Sequence, residues 1–452
     1  MKNRQGLFSA VVLFLIIAAT FWYQLFSKRW LKKEVIVWDV STYYVYLPAT
    51  FIYKDYSYCF TKNFPAQYVW HTDDCKIIPV KMSAGMAMLY APFFIVAHLL
   101  AQPLGYAPNG YSEIYHLAIN ICAMTYLIIG LIYLRKWLKQ YFSDITVAVS
   151  ILLITIGTNL WHYAGEETGM SHVYNFTLFI LWIYTFEKWL KQPLWKYTLF
   201  LGIITGIITL IRPTNVLIIV FFALWQVNSW ELLKLRMSFL LQQWYKLLPM
   251  VGFALLIWLP QMIYWHYTTG KWFYYSYQQE GFFFTKPNIL KGLFGYRKGW
   301  LVYNPVMWVS IAGMYFLFIH EKLKSLGIGI VVFMSIFIYI TFSWWCWWYG
   351  GSYGGRVMID IYFFCAIPLA CVIERIVQNK KVFLQYSGIA IGAFLLFHSI
   401  FQTFQYNSSA IHSDSMNKTL YWKQFFKYKP IEGRDTLLTP PNYESAIQGR
   451  GE

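Results

Sequence analysis

Charge is what this sequence has least of. Only 13% of its 452 residues are Asp, Glu, Lys or Arg, with acids outnumbered 20 to 37, whereas a soluble globular protein carries about 25%. No segment reads as a soluble domain of convincing size, and no repeat recurs at a fixed short period. No Cys/His spacing marks a zinc site. The net charge of +17 comes without an Arg/Lys-rich recognition element, so it carries no nucleic-acid reading. The cations sit in short clusters between apolar runs, as in a membrane protein that fixes its orientation with them. Cysteine is sparse as well, with six residues. Cys122, Cys365 and Cys371 fall in apolar runs as packing residues. Cys59 and Cys75 share one polar loop, where an oxidising compartment would pair them and a reducing one would leave them free.

What is abundant is apolar and aromatic: 58% of residues are hydrophobic and 21% are Phe, Trp or Tyr. Runs of about 17–22 apolar residues recur, each long enough to cross a bilayer as a helix. The expected fold is all-α, a polytopic helical membrane protein. Candidate spans lie at about 7–26, 112–134, 145–161, 172–190, 196–212, 214–229, 247–266, 301–319, 326–343, 357–377 and 382–402. About eleven crossings put the termini on opposite sides. Met1-Lys-Asn-Arg before Leu7–Phe26 has the outline of a signal peptide. The run is too long for one, and Lys28-Arg29 replaces the small-residue cleavage site, so a retained first span is expected.

The loops alternate in character. Arg135–Lys139, Glu187–Lys191, Lys234–Arg236, Glu321–Lys324 and Lys380-Lys381 are short and basic. The positive-inside rule assigns them, with Lys2 and Arg4, to the cytoplasm. Lys28, Arg29, Lys32 and Lys33 run against this rule, and five clusters outweigh them. The outward set is a large first loop (27–111), 161–171, 267–300, 344–356, and a polar tail from 403 to 452. This divides the chain into a membrane domain, 1–402, and the tail, read as a small cap or a partly disordered arm. Ala84–Leu104 is interrupted by Pro92, His98 and Pro103 and reads as a juxtamembrane or re-entrant helix on the outer face.

The outer loops hold the residues able to do chemistry. Asp39 follows the first span, either as a general base or as an interfacial acid paired with a nearby cation. Glu166-Glu167-Thr-Gly-Met-Ser-His172 is a second acidic loop, able to orient an acceptor or hold a divalent ion. Its spacing is too loose to claim a metal, and His172 is as easily a satisfied polar residue. Arg212-Pro213 ends a run containing Gly202 and Gly206, small residues that let another helix come close. Arg212 is either a bidentate phosphate clamp or a snorkelling cation. Arg297-Lys298 sits among glycines, as a phosphate site or an ordinary interfacial loop. Trp344 and Trp348 open a Trp- and Gly-rich turn that ends in Gly-Gly-Ser-Tyr-Gly-Gly-Arg356. An aromatic belt accounts for the tryptophans but not for four glycines and an arginine. Flat rings over such a turn suit a sugar, and Arg356 suits its phosphate.

Taken in order, these motifs resemble the GT-C superfamily of membrane glycosyltransferases, which includes protein O-mannosyltransferases and the transferases that put aminoarabinose on lipid A. The resemblance rests on Asp39 in the first outer loop, Glu166–His172 in the second, Gly202–Pro213, and Gly350–Arg356, and it covers about residues 1–400. Lys81 looks like the family's outer-loop lysine. The resemblance implies a GT-C-like fold and a polyprenyl-phosphate sugar donor. It also implies transfer at the non-cytoplasmic face to a glycan, lipid or protein acceptor. The expected setting is a bacterial inner membrane, with membrane lipid as neighbour and the site facing the periplasm or exterior. Asp39 would be the base, with Glu166 or Glu167 as any second carboxylate. Lys81, His172, Arg212, Arg297, Lys298, Arg356, Trp344 and Trp348 would hold donor phosphate and sugar. No cofactor is implied by the sequence, and a divalent metal is left open. The chain departs from the family where Val40, not a second acid, follows Asp39, and where Met82-Ser83 follows Lys81. A transporter or flippase of lipid-linked glycan and a non-catalytic scaffold are the other two readings.

Overall fold

The computed structural model describes residues 6–64, 69 and 72–450. Among these the chain is helical, with no strand and a single isolated bridge between Phe282 and Trp344. The elements that carry the architecture are α1 (Leu7–Ser27), α2 (Asp39–Tyr44), α3 (Gly85–Ala101), α4 (Glu113–Leu138), α5 (Asp144–Thr155) and α6 (Ser171–Lys191). They continue with α7 (Trp195–Ile211), α8 (Trp244–Thr269), α9 (Val306–Phe318), α10 (Lys324–Ser343), α11 (Tyr362–Val377) and α12 (Val382–Asn407). Six segments are long and apolar enough to cross a membrane: α1, α4, α8, α10, α11 with its leading turn from Arg356, and α12. This is the architecture of a multi-pass membrane protein.

Three of the apolar runs are broken in ways hydropathy does not register. The run at 145–161 stops as α5 at Thr155 and resumes as Leu160–Gly165, with Gly157 between them. The run at 301–319 is cut at Asn304-Pro305, because proline has no N–H to continue the ladder. The run at 214–229 opens as a 3₁₀ turn, Pro213–Ile219, before a short helix to Leu224. At about 1.5 Å per residue, 12 or 13 residues fall short of an apolar core about 30 Å thick.

The bundle has a centre and a periphery. The segment ending in α11 is 89% buried over its most apolar stretch, whereas α8 is 17% and α12 11% buried. A helix that is apolar all round and buried is a core helix; one that leaves Leu255, Leu256, Ile263, Phe383 and Ile389 exposed faces an apolar medium. Close approaches tighten the packing. A Cβ on Gly202 or Gly206 would come within 2.5 and 2.8 Å of the Met250 and Ala254 carbonyl oxygens, so these glycines let α8 lie against α7.

Helix ends sort into two groups. At one end Arg135 donates to the Gly6 carbonyl and to Ser9, the Ser9 N–H reaches Asp144, and Trp137 and Trp225 both donate to Glu187. The basic clusters at 135–139 and 188–191 belong to this end; Lys2 and Arg4 lie outside the described residues. At the other end Gln24 donates to the Ala164 carbonyl, Lys33 pairs with Glu113, and Asn407 donates to Tyr23. Both ends of α3 meet this second group. Gly85 abuts Ile211 at the close of α7, and His98 lies 2.6 Å from the hydroxyl of Tyr115 near the start of α4.

Cys59 and Cys75 form a disulfide, closing part of the first large loop. The tail begins after α12, at 408. Its short helices Lys418–Gln424, Arg434–Leu437 and Tyr443–Ile447 pack a small core of Ile411, Met416, Leu420 and Tyr421 against Tyr303 and Tyr353.

Candidate functional site

Arg212 leaves α7 because Pro213 is the next residue. The residue before a proline is steered away from helical geometry, and Arg212 is extended at φ −146° and ψ 109°. That turn points the chain toward Asp360, which lies in the 3₁₀ segment Arg356–Ile361 leading into α11. Asp360 is fully buried. A buried carboxylate persists only when donors surround it. Here Asn175 donates to it at 2.8 Å, Asn215 at 3.3 Å, and the His172 imidazole lies 3.1 Å away. The Arg212 Nε is at 4.0 Å. Residues from α6, the 213–219 turn and the lead of α11 thus meet on one carboxylate. Its donors keep unused capacity: His172 Nε2, Asn175 Oδ1 and Asn215 Oδ1 are buried without a hydrogen-bond partner.

Beside this cluster lies a second ion pair. The Arg356 Nη2 donates to Asp39 Oδ2 at 2.9 Å, joining residues 317 apart in sequence. Arg356 is mostly buried and Asp39 is about one-third exposed, so the pair stands at the edge of the interior. Trp38 turns the chain into α2 with φ at 52°, a positive value rarely taken by a bulky residue. Val40 then packs onto Gly169, where any Cβ would run into the Val40 methyls. This contact docks the α2 segment on the 166–170 loop, where the Met170 sulfur lies 3.9 Å from Arg356 Nη1. Burial pushes the Tyr43 phenol up, Asp39 adds to that, and Arg212 and Arg356 oppose it. One ring therefore stands among the carboxylate and both guanidiniums.

The two adjacent acids have different surroundings. Burial raises the Glu166 carboxyl, against the pull of Arg29, whose Nε is 3.9 Å away. Burial would raise Glu167 too, but His162 at 3.5 Å, with Arg29 and Arg356, reverses this and holds it at about 2. The two neighbouring carboxyls are thus driven in opposite directions, Glu166 up and Glu167 down.

The remaining cations have protein partners. Lys81 pairs with Glu280, which also accepts from the Trp345 indole at 2.9 Å. Arg297 donates to the carbonyls of Asp414 and Thr439 and lies over the Trp348 ring at 5.9 Å. Lys298 is buried and donates to the Ser352 and Ser413 carbonyls, tying the Gly-rich turn to the tail. Burial first, then Arg356, lowers its ammonium to about 7. Trp344 packs on Tyr277 and Phe282, and Trp348 reaches the Tyr443 hydroxyl at 3.4 Å.

The structure therefore brings Asp39, Arg356, Arg212, His172 and Glu167 to one place, with Glu166 at its rim. It sets Arg297, Lys298 and Trp348 against the tail. Asp360, Tyr43, His162, Asn175 and Asn215 were not among the sequence candidates. For Asp360 a signal existed: an acid inside the apolar run Val357–Cys365 marks a functional position by default. Among the described residues, no group of three or more His, Cys, Asp or Glu side chains is placed to hold a metal ion. The sequence matches no protein-family model and no curated protein.

Proposed function

We propose that this chain is a membrane glycosyltransferase of GT-C type, taking a sugar from a polyprenyl-phosphate donor to an acceptor hydroxyl. In this reading about eleven crossings are completed by the shorter apolar helices, and the Asp39 end faces the periplasm or exterior. The observation that carries it is the Asp39–Arg356 pair beside Arg212. Transfer needs a base for the acceptor hydroxyl and cations for the departing phosphate, and these three residues supply both.

The steps follow from charge. Donor phosphate oxygens compete with Asp39 for Arg356 and are also drawn to Arg212, which Asp360 holds in place. Asp39, released from the guanidinium, accepts the acceptor's proton as the new bond forms at the anomeric carbon. The bond from that carbon to the phosphate oxygen breaks, and the lipid phosphate leaves with its charge held by the two arginines. A guanidinium aimed at developing negative charge contributes about 3 kcal/mol by analogy with an oxyanion-hole donor.

Asp39→Asn in proteoliposomes supplied with labelled polyprenyl-phosphate sugars tests this. Loss of a general base costs about 10²–10⁴-fold in rate. Transfer should fall by that amount while donor binding stays; transfer at the wild-type rate would remove Asp39 as the base. A second reading, a transporter of lipid-linked glycan, has one observation in its favour: the buried His172–Asp360 pair, a motif at home in ion-coupled carriers. Movement of labelled lipid across the vesicle without transfer would select it.

A further inference from the structure

A pocket lies outside the Asp39–Arg356 site and shares none of its residues. It has a volume of about 110 Å³ and is assembled from three stretches of chain: Phe283, Lys286 and Asn288; Trp345, Trp347 and Trp348; and Ala446, Gly449 and Arg450 of the tail. The frame is tied together by the backbone. Phe283 N–H donates to the Ser343 carbonyl at 2.6 Å, Asn288 N–H to Phe342 at 2.8 Å, and Trp345 N–H to Gly281 at 3.0 Å. The tail closes it with Gly449 at φ 66°, seated so tightly on the Phe283 ring that a Cβ would enter the ring. Tyr443 anchors that closure on Trp348, ring to ring at 5.3 Å.

The groups in the pocket ask for a specific chemistry. Lys286 and Arg450 are both exposed and line the pocket. The Asn288 side chain makes no capping bond to the helix it precedes. Two cations call for an anionic group, the Asn288 amide calls for a hydroxyl or carbonyl oxygen, and tryptophan faces set edge to face call for a flat apolar surface. An oxygen-rich ring carrying a negative charge meets all three. Trp345 lines this pocket while its indole donates to Glu280, the partner of Lys81.

We propose that this pocket binds an anionic sugar unit, phosphorylated or carboxylated, belonging to the acceptor. The acceptor assignment rests on the glycosyltransferase reading; the binding of an anionic sugar does not. The geometry makes the tail part of the site, through Arg450, and not only a cover.

Titration calorimetry on the purified full chain, with glucose 6-phosphate as probe and no donor present, tests it. Saturable binding is expected, about tenfold or more tighter than that of glucose or of inorganic phosphate. Lys286→Ala and Arg450→Ala should each weaken it several-fold. Lys286 and Arg450 are exposed, so an unchanged melting temperature checks that the variants are folded. Absence of saturable binding would overturn the proposal. So would unchanged affinity in the Lys286→Ala/Arg450→Ala double variant, or inorganic phosphate binding as tightly as the sugar phosphate. A chain that transfers sugar but fails to bind the probe loses only this pocket. A chain that binds the probe yet never transfers loses only the transferase reading.

Discussion

Replacing Asp360 by Asn is the most demanding check on the site as described. The two side chains have nearly the same shape, so packing is kept and charge is removed. The carboxylate takes hydrogen bonds from Asn175 and Asn215, lies 3.1 Å from His172, and faces Arg212 at 4.0 Å. Arg212 is 17% exposed and would lose its buried counter-charge. Breaking a buried ion pair costs about 3–5 kcal/mol. The 4.0 Å separation and the partial exposure of Arg212 argue for the low end, about 3 kcal/mol. With an unfolding entropy of about 2.1 cal/mol/K per residue, that lowers the midpoint of a chain this long by about 3 °C. The assay is thermal unfolding of the detergent-solubilised chain, run for Asp360→Asn, Arg212→Gln and the double variant. Because the pair shares one interaction, the double variant should be less destabilised than the sum of the singles, by about 1–2 kcal/mol. Strict additivity, or an unchanged midpoint in Asp360→Asn, would refute the claim that Asp360 holds Arg212.

Three further outcomes are expected. Gly169→Leu drives a side chain into Val40, so it should undock the α2 segment and expose it to protease; an unchanged cleavage pattern would contradict the docking contact. Lys298 is lowered to about 7 by burial and by Arg356. Its folded state binds the proton less tightly than the unfolded one, so between about pH 7 and 10.5 stability should rise with pH, and Lys298→Met should flatten that slope in melting curves. Cys59→Ser opens a 16-residue separation, which in the chain-entropy account is worth about 3 kcal/mol. Limited proteolysis of the first loop should then begin at lower temperature, and identical onset would argue against a stabilising bridge.

The sequence alone determined the solvent this chain is built for. Hydropathy is a local property, and runs from Leu7 and from Glu113 stay apolar whatever they pack against. Local rules also marked where helices end, as at Arg212-Pro213, and kept Asp39, Glu166, Glu167, His172, Arg212 and Arg356 in view as polar residues at those ends. They did not register the breaks at Gly157 and Asn304-Pro305 as interruptions of a span, because a hydropathy window averages across one or two residues.

Partner choice was decided only in three dimensions. Asp39 meets Arg356 across 317 positions because Val40 fits over Gly169, a steric match between two loops that no spacing encodes. Lys81 meets Glu280, and Arg297 and Lys298 meet carbonyls of the tail. A cation's strongest bond goes to whichever oxygen the fold brings within about 3 Å, and sequence does not carry that distance. Asp360 shows the same division from the other side. Its acidity was plain in the sequence, but its importance lies in the donors that α6 and the turns after α7 and before α11 gather round it. Local chemistry names the groups; tertiary packing sets the burial and separation that turn them into a site.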